Sequence, residues 1–287
     1  MIHVLAFAKL NLSFRVLYRR NDGFHEIESL IQTIDLADEI DIAEGNGRIE
    51  VANDLSLPLE QDLAWRAARA VLDRKKLHAG VKIAVRKRIP AGAGLGGGSS
   101  DAAATLWGVD RIIPPGLSND SLHTLASELG SDVPLFLSGG LVHASGRGER
   151  TASAGQPRKE WFAVIVPPIH CDTARVYAAW DATARTYTSP DSAACAHDEM
   201  LILSLGENDL GPAACFVYPE LADYRQAVSG IGAVYAGMSG SGSAFYAAFA
   251  EREEAAAAKV EMERRFPLAK AYLCRGTSKG FSAGEEA

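Results

Sequence analysis

Apolar and polar residues alternate from Val4 to Val16: Ala8, Leu10, Leu12, Phe14 and Val16 fall on one face, Lys9, Asn11, Ser13 and Arg15 on the other. This period predicts an antiparallel strand with one polar face. In isolation Lys9 reads as an ordinary solvated sheet lysine. Asp22-Gly23 marks a turn, and a second strand-like stretch follows from Phe24-His25-Glu26 to Ile34. Ile40 to Val51 predicts two more short strands around Gly45-Asn46-Gly47. The period then changes. Leu63, Ala67, Ala70, Val71 and Arg74 recur at helical spacing, Ala64 and Ala68 widen the stripe, and Asp62 is placed to cap it. Val81 to Arg86 returns to alternation, and Asn119 to Leu129 is an amphipathic helix closed by Gly130. Strands first, then strands and helices in mixed order, predict an α+β fold.

Gly155-Gln156-Pro157-Arg158 shifts the composition, which places a domain boundary between residues 1–156 and 157–287. Beyond it, Trp161 to Val166 is an apolar strand stopped by Pro167-Pro168. Helices are predicted at Thr173 to Trp180, around Glu199 to Leu205, at Leu221 to Val228 and at Glu251 to Phe266. Thr183 to Ser192 reads as a loop, Ala244 to Phe249 as an apolar segment, and Ala271 to Cys274 as a final strand before a polar tail.

With 287 residues and 47% hydrophobic content the chain can bury a substantial core. Its 29 basic and 36 acidic residues give a net charge of −7 without a long basic run, which argues against nucleic acid or an anionic membrane as partner. The four cysteines show no CxxC spacing and the seven histidines no HxH or HExxH, so neither a zinc site nor a disulfide framework is signalled. The start of the chain lacks a signal peptide's apolar core, and a cytoplasmic location is expected.

Chemistry enters at Pro90 to Ala104, a glycine-dense loop opening onto an alanine-rich stretch. Such a junction aims backbone N–H groups and a helix dipole at one spot, which suits phosphate. Gly92, Gly94 and Gly97 spell GxGxxG, yet the preceding strand alternates apolar and charged residues, unlike a buried Rossmann strand. Arg111-Ile112-Ile113-Pro114-Pro115 stands where an acid-terminated strand should follow, so the dinucleotide reading fails. The Walker A form fails too, since the loop holds no lysine. Asp132, in Ser131-Asp132-Val133-Pro134, suits either the cap of a short helix or a general base.

Ala8-Lys9-Leu10-Asn11-Leu12, Pro90 to Ala104 and Met238-Ser239-Gly240-Ser241-Gly242 together resemble the three ordered motifs of the galactokinase, homoserine kinase, mevalonate kinase and phosphomevalonate kinase (GHMP) superfamily. Asp22-Gly23-Phe24-His25, Gly130 to Pro134 and Asn208-Asp209-Leu210 are most similar to its branch acting on a cytidine-diphosphate-linked methylerythritol in non-mevalonate isoprenoid synthesis. The resemblance implies a two-domain GHMP-kinase-like architecture with the active site in the inter-domain cleft. The N-terminal domain would bind ATP and carry catalysis, and the C-terminal domain would bind substrate.

It further implies transfer of the ATP γ-phosphate to a 2-hydroxyl, with Mg2+ accompanying ATP and the Ser99 and Ser100 hydroxyls able to help with phosphate or magnesium. Asp132 would be the base and Lys9 its cationic neighbour. Pro90, Gly92, Gly94, Leu95, Gly96, Gly97, Gly98, Ser99 and Ser100 would hold ATP. Asn11 and Gly240 would meet the substrate, His25 would read the cytosine edge, and Phe24 with Tyr177 would stack on the base. Phe24 stands where the family often has tyrosine, Asp62 where it has asparagine, and Ser131 where it has alanine. The partners expected are these two small molecules, for a monomer or weak homodimer.

Overall fold

A computed structural model of the chain describes residues 1–53, 58–183 and 204–285. The alternating stretches become long strands. β1 (Ile2–Arg19) and β2 (His25–Gly45) pair antiparallel along nearly their whole length. β2 was expected as separate pieces. It is continuous because it changes its other partner midway: Ile27 to Gln32 pair with β5 (Leu141–Gly146), and Glu39 to Gly45 pair with β4 (Gly80–Arg86). β3 (Ile49–Asn53) lies parallel to β4, and β6 (Arg150–Ser153) forms a hairpin with β5. β4 exposes Lys82 and Arg86 and buries Val81, Ile83 and Val85, as its alternation predicts.

Four helices cover this sheet: α1 (Leu63–Lys75), α2 (Gly97–Ile112), α3 (Asn119–Leu129) and α4 (Val133–Ser138). Asp62 caps α1, its carboxylate accepting from the Ala64 and Trp65 amides at 2.8 and 3.1 Å. The core beneath them is Val4, Ala6, Ile40 and Ile42 against Ala67, Val71, Leu106 and Phe136.

The second sheet has the order β10-β7-β9-β8, all antiparallel, from β7 (Trp161–Val166), β8 (Tyr235–Met238), β9 (Phe245–Phe249) and β10 (Lys270–Arg275). α5 (Thr173–Thr183), α6 (Leu210–Val217), α7 (Leu221–Ser229) and α8 (Arg252–Arg265) accompany it. The loop expected over Thr183 to Ser192 and the helix expected around Glu199 fall, beyond Thr183 and before Ser204, outside the described residues. The polar tail, for which no strand was predicted, forms β11 (Phe281–Glu285), which pairs with Ile2 to Ala6 of β1 in the first sheet.

A bulge between Phe7 and Ala8 re-aims β1. Before it, Val4 and Ala6 belong to the helix-side core; after it, Ala8, Leu10 and Leu12 join Leu95, Phe162, Val164 and Tyr246 in a separate core at the seam of the two sheets. The seam is therefore apolar and closed. Lys9, Asn11 and Ser13, on the opposite face, are buried as well.

Candidate active site

The glycine loop is pinned from both sheets. Leu95 O accepts from the Lys9 amide of β1 at 3.0 Å, Ala93 O accepts from the Ala244 amide at 3.0 Å, and Gly94 O accepts from the Ser239 hydroxyl at 2.8 Å. Gly94 has φ +76°, and a Cβ there would lie 2.1 Å from Ser239 O, so this position requires glycine. Gly96 caps α2 without a side chain, which leaves the first-turn amides at Gly97, Gly98 and Ser99 without helical partners. Ser100 departs from the expectation. It is fully buried, its N–H bonds Gly96 O at 2.9 Å, and its hydroxyl is enclosed away from the groove; Leu95 likewise puts its side chain into the seam core.

Lys9 reaches across this loop. Its side chain is only 5% exposed, and Nζ lies 3.7 Å from Asp132 Oδ2 on a side chain that is 38% exposed. Nζ also donates to Asn11 Oδ1, and Asn11 Nδ2 donates to Ser29 Oγ at 2.8 Å. Burial lowers the Lys9 pKa, and Asp132 opposes that shift without reversing it. Asp132 stands at the N-cap of α4 but makes no capping bond. Its carboxylate is thus left to the cavity. Gly240, in the turn between β8 and β9, comes so near that a Cβ would sit 3.3 Å from Asn11 Oδ1 and 3.5 Å from Lys9 Nζ. Asn208 holds that turn by donating to Met238 O and Gly240 O, each at 2.8 Å.

Two cavities meet at the loop. One of about 330 Å³ is lined by Asp62, Lys87, Pro90, Gly97, Gly98 and Ser99. The other, of about 900 Å³, holds Lys9, Asn11, Asp132 and Gly240 at one end and Phe24, His25 and Tyr177 at the other. Gly92, Gly94 and Gly96 line both. A donor in the smaller space and an acceptor in the larger would therefore face each other across these glycines.

At the floor of the smaller cavity, Lys87 pairs with Asp38 and, at 2.6 Å, with Asp101 Oδ2. Burial pushes Asp101 up to about 7, against the pull of Lys87 and with the charge of Asp38 adding to the push. Burial alone would lower Lys87, but the two carboxylates outweigh it and the net shift is upward.

At the far end of the larger cavity Tyr177 stacks on His25, with ring centroids 4.7 Å apart at 24°. Phe24, 51% exposed, carries the Arg147 guanidinium over its ring at 4.7 Å. His25 Nε2 is 2.7 Å from Asp181 Oδ1, and Trp180 meets its ring edge-on. Asp181 and Arg147 escaped the sequence reading. Asp181 follows Tyr177 by four positions and so shares its helix face, which is the signal that could have found it.

A strand-borne lysine beside a carboxylate, facing a glycine loop at a helix start, defines a small-molecule kinase of the GHMP class. The models for the GHMP kinases N terminal domain and the GHMP kinases C terminal match residues 62–140 and 199–268. A 4-diphosphocytidyl-2-C-methyl-D-erythritol kinase of Shouchella clausii is 38% identical over 82% of this chain and 81% of its own length. The same kinase of Neisseria gonorrhoeae is 37% identical over 95% and 93%. A crystal structure of 4-(cytidine 5'-diphospho)-2C-methyl-D-erythritol kinase superposes with a TM-score of 0.77 at 33% identity, covering 96% of this chain and 100% of that one. A homoserine kinase of Cytophaga hutchinsonii shares the fold, with a TM-score of 0.74 at 20% identity over 98% of this chain and 96% of its own. The chain belongs to the 4-diphosphocytidyl-2-C-methyl-D-erythritol kinase family. Among the described residues no helix is long and apolar enough to cross a membrane.

Proposed function

We propose that the chain transfers the γ-phosphoryl group of ATP to the 2-hydroxyl of 4-diphosphocytidyl-2-C-methyl-D-erythritol. The observation that carries this reading is the Lys9–Asp132 pair at 3.7 Å, placed where two cavities share Gly92, Gly94 and Gly96. ATP lies in the smaller cavity, its phosphates against the first-turn amides of α2. The acceptor lies in the larger cavity, its base toward His25 and its hydroxyl toward Asp132.

Asp132 takes the hydroxyl proton as the oxygen attacks the γ-phosphorus, the bond to the β,γ-bridging oxygen breaks, and ADP leaves. Lys9, held by Asn11 and poorly solvated, offsets the negative charge on the transferring group where water does not screen it. Among the described residues no three His, Cys, Asp or Glu side chains gather to hold a metal. The Ser99 hydroxyl, lining the smaller cavity at the start of α2, would stand beside Mg2+ carried mainly by the nucleotide phosphates, where the ion would neutralise phosphate charge. In this scheme residues 1–156 form the ATP-binding and catalytic domain and 157–287 the substrate domain, with β11 added back to the first.

ADP release with 4-diphosphocytidyl-2-C-methyl-D-erythritol, against mevalonate, homoserine and galactose, tests the reading. Turnover with the cytidyl substrate alone is expected; turnover only with a substrate lacking cytidine sinks it.

A further inference from the structure

We propose that Asp181 is a specificity-determining positioning residue: it fixes the His25 tautomer so that the base site takes the amino group of cytosine and refuses the carbonyl of uracil. The proposal rests on the reading that His25 meets the base of the acceptor.

Neutral imidazole carries one N–H and one bare nitrogen, and the partner of one nitrogen decides the state of the other. Asp181 Oδ1 lies 2.7 Å from His25 Nε2, and a carboxylate only accepts. In the neutral ring the proton therefore sits on Nε2, and Nδ1 is left as an acceptor. Nδ1 makes no hydrogen bond among the described residues and is not among their enclosed, unpartnered polar atoms, so a ligand in the cavity can reach it.

The ring cannot turn to offer its other edge. Tyr177 covers one face at 4.7 Å, Trp180 abuts it at 5.6 Å, and His25 is buried. Asp181 is itself held from its second oxygen, with Arg19 Nη1 3.6 Å from Oδ2. Arg19 and His25 come from β1 and β2 and Asp181 from α5, so the device spans the two halves of the molecule.

Cytosine and uracil differ at the 4-position, an amino donor against a carbonyl acceptor, and in the opposite sense at the adjacent ring N3, so the 4-substituent, not N3, is placed against Nδ1. A bare Nδ1 pairs with the donor and faces the acceptor lone pair to lone pair. A site built to bond a group rejects the analogue that lacks it, because its own polar atom stays unpaired.

Steady-state kinetics with the cytidyl substrate and its uridyl analogue test this on the wild type, Asp181→Asn and Asp181→Ala. Both variants are expected to raise KM for the cytidyl substrate about tenfold while kcat and the KM for ATP hold, and to lower the preference over the uridyl analogue roughly tenfold or more. A preference unmoved in both variants overturns the proposal. Nitrogen-15 spectra of the wild-type imidazole supply a readout independent of the variants' folding: a protonated Nε2 with bare Nδ1 supports it, and a protonated Nδ1 overturns it. His25→Ala separates the two levels. An unchanged KM for the cytidyl substrate there removes the base-site reading and this proposal with it. A raised KM beside an unmoved preference in the Asp181 variants overturns this proposal alone.

Discussion

The two ends of the larger cavity are built by different means. At the reacting end, position comes from backbone: Lys9 and Asn11 ride a strand bonded on both edges, and the glycine loop is tied to β1 and β9 through carbonyl groups. At the base end, position comes from side chains that meet across the two halves: Tyr177 and Asp181 of α5 against His25 of β2. The first arrangement fixes atoms for bond making. In the proposed reaction the second fixes a hydrogen-bond pattern.

This contrast can be broken at the reacting end first. Asp132→Asn should lower kcat by about 10²- to 10⁴-fold with both KM values nearly kept, since the amide retains size and loses the proton acceptor. Turnover near the wild-type rate in a coupled ADP assay would remove Asp132 as base. Next in size, His25→Ala should raise KM for the cytidyl substrate roughly tenfold or more while kcat stays within about twofold, the opposite split from Asp132.

Glycine substitutions sharpen the comparison within the loop. Gly94→Ala should destabilise the protein by roughly 2 kcal/mol or more and abolish ATP binding, because its Cβ meets Ser239 O at 2.1 Å in a left-handed backbone. Gly98→Ala, whose Cβ meets only Leu63 Cδ1 at 3.5 Å, should leave thermal stability within about 1 kcal/mol or raise it. Equal melting temperatures for the two variants would contradict the tie from Gly94.

The smallest effect is one of pH. Asp101 has its pKa raised from 3.8 to about 7 in the folded protein, chiefly by burial, so the folded state binds more protons than the unfolded state between those values. Stability from this group is present below pH 4 and is lost as pH rises toward 7, by at most about 1.4 kcal/mol per pH unit. Melting curves of Asp101→Asn should show a flatter dependence across that window. Parallel curves would contradict it.

Legibility from sequence follows the same division. Glycine density exposes the loop because it is written locally, and alternation puts Lys9 and Asn11 on one face, but only the resemblance to the GHMP kinases gives those two residues a role. Ser100 misleads because it stands one position past Ser99, and one step along a helix turns a side chain about 100°, here from the groove into the interior. Tyr177 was named from the resemblance, but its stacking on His25 depends on how α5 meets β2, and no local pattern encodes that. The burial of Lys9 was hidden for a related reason: alternation shows two faces, and only the assembled fold shows that both are covered. β11 left no trace, since its pairing uses backbone groups that every residue carries.

The pairing of β11 with β1 also bears on how the molecule is made. The strand that completes the edge of β1 at Ile2 to Ala6 comes after the whole of the second sheet in chain order. Until β11 is made, Ile2 to Ala6 of β1 lack this edge partner, and an unpaired edge is the kind of surface that recruits strands from other chains. Closing that edge waits on a segment from beyond the second sheet, while the Lys9 amide is held separately by Leu95 O.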